Sequence, residues 1–97
     1  MRDYELTILL QPSLSEKDAE KTVKDISAIL EKLGAKIKKK TDPEKRQLAY
    51  EIAKNKEALY VYIEFQLDPE KEKVMEMESK IKLVGNIIRY LLVKKGA

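Results

Sequence analysis

A chain of 97 residues with neither cysteine nor histidine has no disulfide, no thiolate nucleophile and no Cys-ligated zinc or iron–sulfur site, and it lacks the commonest general base and metal ligand. Lys and Arg (20) outnumber Asp and Glu (17), so the net charge of +3 is too small to identify a nucleic-acid binder until its distribution is known. No apolar run approaches the roughly 20 residues that span a bilayer and no charged-then-apolar leader opens the chain, so residues 1–97 are expected to form one cytosolic domain.

The first element spans Tyr4 to Leu10. Tyr4, Leu6, Ile8 and Leu10 share one face at period two, with Glu5 and Thr7 on the other, which predicts a half-buried strand. Gln11-Pro12-Ser13 ends it. Ser15 with Asp18 three residues on resembles a capping box, and Leu14 is placed to act as a staple. Ala19, Val23, Ile26, Ile29, Leu30 and Leu33 then recur at helical spacing until Gly34 stops the helix.

Ala35 to Thr41 has a thin apolar pattern and predicts an exposed edge strand. Asp42-Pro43-Glu44 interrupts it, as a residue without an N–H does only at an edge or bulge. Lys45 to Ile52 either resumes the strand or forms an irregular arm, and Lys54-Asn55-Lys56-Glu57 is a predicted turn. Leu59 to Leu67 is the clearest strand, with Leu59, Val61, Ile63, Phe65 and Leu67 opposed to Tyr60, Tyr62, Glu64 and Gln66. Asp68-Pro69 predicts a capped second helix with an apolar stripe of Val74, Met75, Met77 and Ile81, ending between Leu83 and Asn86. A last strand runs from Ile87 to Lys94.

Strand, helix, strand, strand, helix, strand is an α+β order of the split βαβ, or ferredoxin-like, plan. It implies a four-stranded antiparallel sheet with both helices on one face, the first and third strands central. The other face is then open. Alternation puts Glu5, Thr7, Leu9, Tyr60, Tyr62, Glu64, Arg89, Leu91 and Val93 on it. Its apolar members suit a docking surface, although tyrosines and aliphatics also simply favour strands. RNA-recognition motifs use the same plan and stack bases on third-strand aromatics, but here the motif's glycines and its first-strand aromatic are missing.

Between Lys36 and Lys56 stand eight cations and three carboxylates, a net +5 that exceeds the charge of the whole chain. Phosphate binding needs such clustering, while lysines on an edge strand also guard against edge-to-edge aggregation. No glycine-rich phosphate loop follows the first strand. The serines lack a histidine partner, and the carboxylates lie among lysines without metal-ligand spacing. Neither an enzyme, a metal, a cofactor nor a small-molecule substrate is expected.

Four stretches carry a resemblance: Met1-Arg2-Asp3-Tyr4-Glu5, Gly34-Ala35-Lys36-Ile37, Lys45-Arg46-Gln47-Leu48-Ala49-Tyr50 with Ile52 and Lys54, and Asn86-Ile87-Ile88-Arg89 with Leu92-Val93. In order and spacing they resemble the bacterial small-subunit ribosomal protein six family across nearly the whole chain. Pro43-Glu44 replaces the family's usual Trp-Gly, Glu51 its Pro after the tyrosine, and Gly85 its acidic residue before the asparagine. The resemblance implies a structural protein of the small ribosomal subunit that binds ribosomal RNA as a heterodimer with small-subunit ribosomal protein eighteen. It further implies Arg2, Lys45, Arg46, Lys54 and Arg89 as phosphate contacts, and Leu9, Tyr50, Tyr60, Tyr62 and Leu91 as the partner-protein interface. The alternatives are a self-associating protein-interaction module and a single-strand RNA binder of the recognition-motif type.

Overall fold

Alternation along the first strand is reproduced residue by residue in a computed structural model of the chain, which describes residues 2–52, 54–68 and 70–95. In β1 (Arg2–Leu10), Tyr4, Leu6, Ile8 and Leu10 are buried, and the residues between them are half-buried or exposed. α1 (Glu16–Lys32) starts where the sequence places it. The Ser15 hydroxyl oxygen accepts from the Asp18 N–H at 3.1 Å, so one of the first-turn N–H groups that no helical carbonyl reaches is satisfied. Thr22 and Ser27 lie on the buried face, and each donates its hydroxyl to a carbonyl one turn back at 2.9 Å. Gly34 stands at φ +88, where a side chain would be strained, and the N–H groups of Gly34 and Ala35 close on Glu31 and Leu30 at 3.0 Å.

The strand count differs from expectation. The sheet has five strands: β1, β2 (Lys36–Lys40), β3 (Glu44–Ile52), β4 (Asn55–Leu67) and β5 (Ile87–Lys95). Its order is β2-β4-β1-β5, with β3 also paired to β4, and every pairing is antiparallel. β2 pairs residues 63–66 of β4, whereas β3 pairs residues 55–60. The two therefore lie end to end along one edge, and the expected second strand is split rather than replaced. Pro43 cannot donate to β4, which breaks the ladder. Thr41 spans the break: its N–H donates to the Tyr62 carbonyl at 3.0 Å, and its hydroxyl accepts from the Tyr62 N–H at 2.9 Å.

Lys45 to Ile52 is strand and not an irregular arm. With residues 55–58 of β4 it makes a hairpin that extends past the end of β1. The predicted turn shrinks accordingly, because Ile52 already faces Asn55 and Lys54 takes a left-handed φ of 65°. Ala53 lies outside the described residues.

α2 (Lys71–Leu83) begins later than expected. Glu70, not Asp68, precedes its first residue, and the cap has no side-chain hydrogen bond. Asp68 is too far from the helix to serve, since a capping side chain reaches only two or three residues ahead; Pro69 lies outside the described residues. Met77 and Ile81 are fully buried and Val74 packs against them, but Met75 is 57% exposed. Positions 74, 77 and 81 share one face, while 75 sits about 100° round the helix from 74. Asn86, at φ 72, turns the chain into β5 and accepts from the Gln11 N–H at 2.9 Å. Both helices pack on the sheet face that carries Tyr4, Leu6, Ile8, Val61, Ile63 and Phe65, with Tyr4 and Phe65 stacked at 5.5 Å, so one core forms and the opposite face stays open. No described helix is long and apolar enough to cross a membrane.

Candidate nucleic-acid interface

The open face is built from residues directly opposite one another in the register, which share a side of the sheet. Three rows cross β4, β1 and β5: Glu64–Glu5–Val93, Tyr62–Thr7–Leu91 and Tyr60–Leu9–Arg89. All nine residues that alternation assigned to this face are brought together there. Leu91 is 61% and Val93 42% exposed, so the apolar patch is real and borders solvent.

The two acids of the first row are closed by a lysine beside it. Lys95 Nζ reaches Glu64 at 2.9 Å and Glu5 at 3.2 Å. Its hydrogen bond holds the Glu64 carboxyl below the usual carboxylate range, and the two carboxylates raise the Lys95 ammonium. Desolvation, then hydrogen bonds to Glu64 and Glu5, push the Tyr62 phenol up to about 12. Sequence reasoning assigned Lys95 no role. Its signal was its alternation with Leu91 and Val93, which puts it on the same face as the two acids.

The third row carries the cations. Glu44 of β3 faces Tyr60, which extends the row across the hairpin strand. Two residues on, the Arg46 guanidinium lies over the Tyr60 ring, 4.1 Å from its centroid, and donates to Glu44 at 3.3 Å. Arg89 stands at the other end of the row, three strand spacings or about 14 Å from Glu44.

The remaining expected cations do not gather here. Lys45 faces Leu59 and therefore the helix side; it pairs with Glu57 at 3.6 Å and borders a cleft of about 380 Å³ with Glu16 and Glu20 of α1. Adjacent residues in a strand point to opposite faces, so the Lys45-Arg46 pair is split across the sheet. Arg2 faces Leu67 on the helix side, and Lys54 tips the hairpin. Tyr50 is 84% exposed on the hairpin, beyond the three rows. It sits where β3 fits four residues, 48–51, against the single Lys56. Among the described residues no group of three or more acidic side chains could hold a metal ion.

A family model described as ribosomal protein S6 matches residues 3–94. The chain belongs to the ribosomal protein S6 family. Family relatives include the small ribosomal subunit protein bS6 of Fusobacterium nucleatum, 36% identical over 98% of this chain and 99% of that one, and its counterpart in Halalkalibacterium halodurans, 34% identical over 97% of both. The crystal structure of 30S ribosomal protein S6 from Thermotoga maritima superposes with a TM-score of 0.89 at 29% identity, over 97% of this chain and 87% of that one. A C-terminal domain of the MgtC protein from Mycobacterium tuberculosis, at 6% identity and a TM-score of 0.64, shares the fold alone. Family membership makes the chain a structural protein of the small ribosomal subunit, in the cytoplasm, and not an enzyme.

Proposed function

We propose that the chain binds small-subunit ribosomal RNA together with small-subunit ribosomal protein eighteen, and that the open sheet face is shared between the two. The carrying observation is the pair of arginines on this face: Arg46, over Tyr60, and Arg89, at the end of the third row, bracket Tyr60 and Leu9. Leu9, Tyr62 and Leu91, with Val93, form the protein-facing part, and Tyr60 borders both ligands. Tyr is favoured at such interfaces because it combines a large apolar ring with one polar tip. Arg46, Arg89 and Lys54 make the RNA contacts of this face and its hairpin, and Arg2 and Lys45 are left to contacts on the helix side. Tyr50 adds a second protein contact from the hairpin. The internal pairing of Lys95 with Glu5 and Glu64 removes charge that would otherwise oppose burial of the patch.

A filter-binding titration on a central-domain fragment of small-subunit ribosomal RNA, with and without the partner protein, tests the reading. Tight binding is expected only with both proteins present, weakening steeply as salt rises because phosphate neutralisation releases counterions. Absence of binding with both proteins present would defeat it, and homodimers in sedimentation runs would then favour the self-associating alternative.

A further inference from the structure

We infer that Arg46, stacked on Tyr60, is a platform for one unpaired base of the RNA and not a phosphate clamp. The inference rests on the RNA-binding reading and assigns a ligand chemistry within it.

A guanidinium offers two ligand surfaces: an edge of N–H donors that suits phosphate, and two flat faces that suit π-systems. At Arg46 one terminal N–H of that edge already donates to the Glu44 carboxylate at 3.3 Å. A phosphate arriving there would meet the repulsion of that carboxylate. One side of the guanidinium is taken up by the Tyr60 ring, with 4.1 Å between the guanidinium carbon and the ring centroid. More than half of the side chain nonetheless remains exposed, so the second face is left for a ligand. A neutral, planar base fits it without disturbing Glu44.

Bases splayed out of a helix stack on arginine planes as well as on aromatic rings. The tyrosine beneath holds the plane in place, so less side-chain freedom is lost when the base arrives. β3 belongs to the segment of net +5, which draws the RNA strand towards this edge. Arg89, three strands across the same face, is placed to meet the backbone of the same RNA strand.

The test uses the complex of chain, partner protein and central-domain RNA fragment, with affinity and salt slope as the two readouts. Arg46→Lys keeps the charge and loses the plane. It should weaken binding about tenfold, the order one stacked base contributes, with the salt slope unchanged. Tyr60→Leu should do the same, and Tyr60→Phe, which keeps the ring, should lose less affinity than Tyr60→Leu. Amide NMR spectra of each variant establish that the fold is intact, and the exposed Arg46 position keeps the test alive if Tyr60→Leu fails to fold. Parent-like binding by Arg46→Lys would overturn the platform and leave the RNA reading standing, with Arg46 a simple charge contact. A loss of affinity of Arg46→Lys for the partner protein in the absence of RNA would overturn it in favour of a protein-docking role. Failure of the parent complex to bind the fragment would defeat both readings.

Discussion

Tyr62 shows how much one open-face residue depends on its neighbours. Its phenol faces Glu5 and Glu64, and its backbone is held by Thr41. A tyrosine raised from 10.0 to about 12 binds its proton more tightly in the folded chain than in the unfolded one. Its contribution to stability is therefore complete below pH 10 and is lost as pH climbs through 10 to 12. Lys95, also raised, acts in the same direction. Glu64 is lowered, so its contribution is present above the ordinary carboxylate value of 4.5 and lost below it as pH falls through the depressed folded value. An ultraviolet absorbance titration is expected to show phenol ionisation extending to about pH 12, and Tyr62→Phe should delete that late step. A Tyr62→Phe titration that retained it would refute the assignment. The same substitution should also flatten the alkaline decline of urea midpoints. The face on which Tyr62 lies was legible from period two. Its phenol's environment was not, because Glu5, Glu64 and Lys95 come from three different strands.

At the level of elements, the edge formed by β2 and β3 is the part where local pattern was least informative. Lys36 to Lys40 offers only Ile37 to a core, and β3 offers only Leu48 and Ile52 as half-buried members, so periodicity had little to work with. Pro43 announced the interruption, yet whether the chain resumed as strand depended on β4 being long enough to pair both pieces. Thr41 is the residue that makes the split tolerable. Thr41→Val keeps the β-branched shape and removes the acceptor for the Tyr62 N–H. The expected cost is about 1 kcal/mol, at the low end for an unsatisfied donor because the site is only partly buried. A lowered urea midpoint and faster amide exchange at Tyr62 would show it; unchanged exchange at that amide would mean water replaces the hydroxyl without loss. α2 illustrates the opposite limit. Its stripe of Val74, Met77 and Ile81 was readable, but its start was not, since Asp68 is an adequate local cap signal and the helix starts after Glu70 instead.

Across the whole molecule, positive charge is distributed by topology and not by sequence neighbourhood. Lys45 and Arg46 are adjacent in the chain and sit on opposite faces, while Arg46 and Arg89, 43 positions apart in number, share a face. Arg89 has no acid opposite it in its row, where Leu9 is its partner. Arg89→Ala is accordingly expected to weaken assembly with the RNA fragment and to reduce the salt slope by about one, the loss of roughly one phosphate contact. An unchanged slope would remove Arg89 from the interface. Measured beside Arg46→Lys, whose slope should not move, it separates a charge contact from a stacking one on the same face.

By itself the sequence determined the two helices, the inward set of β1 and β4, and the family resemblance. These follow from short-range rules: period two, period 3.6, caps and residue inventory. Tertiary structure alone decided that the second strand is two pieces on one edge, that Arg46 stacks on Tyr60 with its edge donated to Glu44, and that Lys95 closes on Glu5 and Glu64. Each of the last two joins residues from separate strands or from both sides of a bend. The register that aligns them is set by packing of the whole sheet against its helices, and a one-residue slip would send every one of these side chains to the other face.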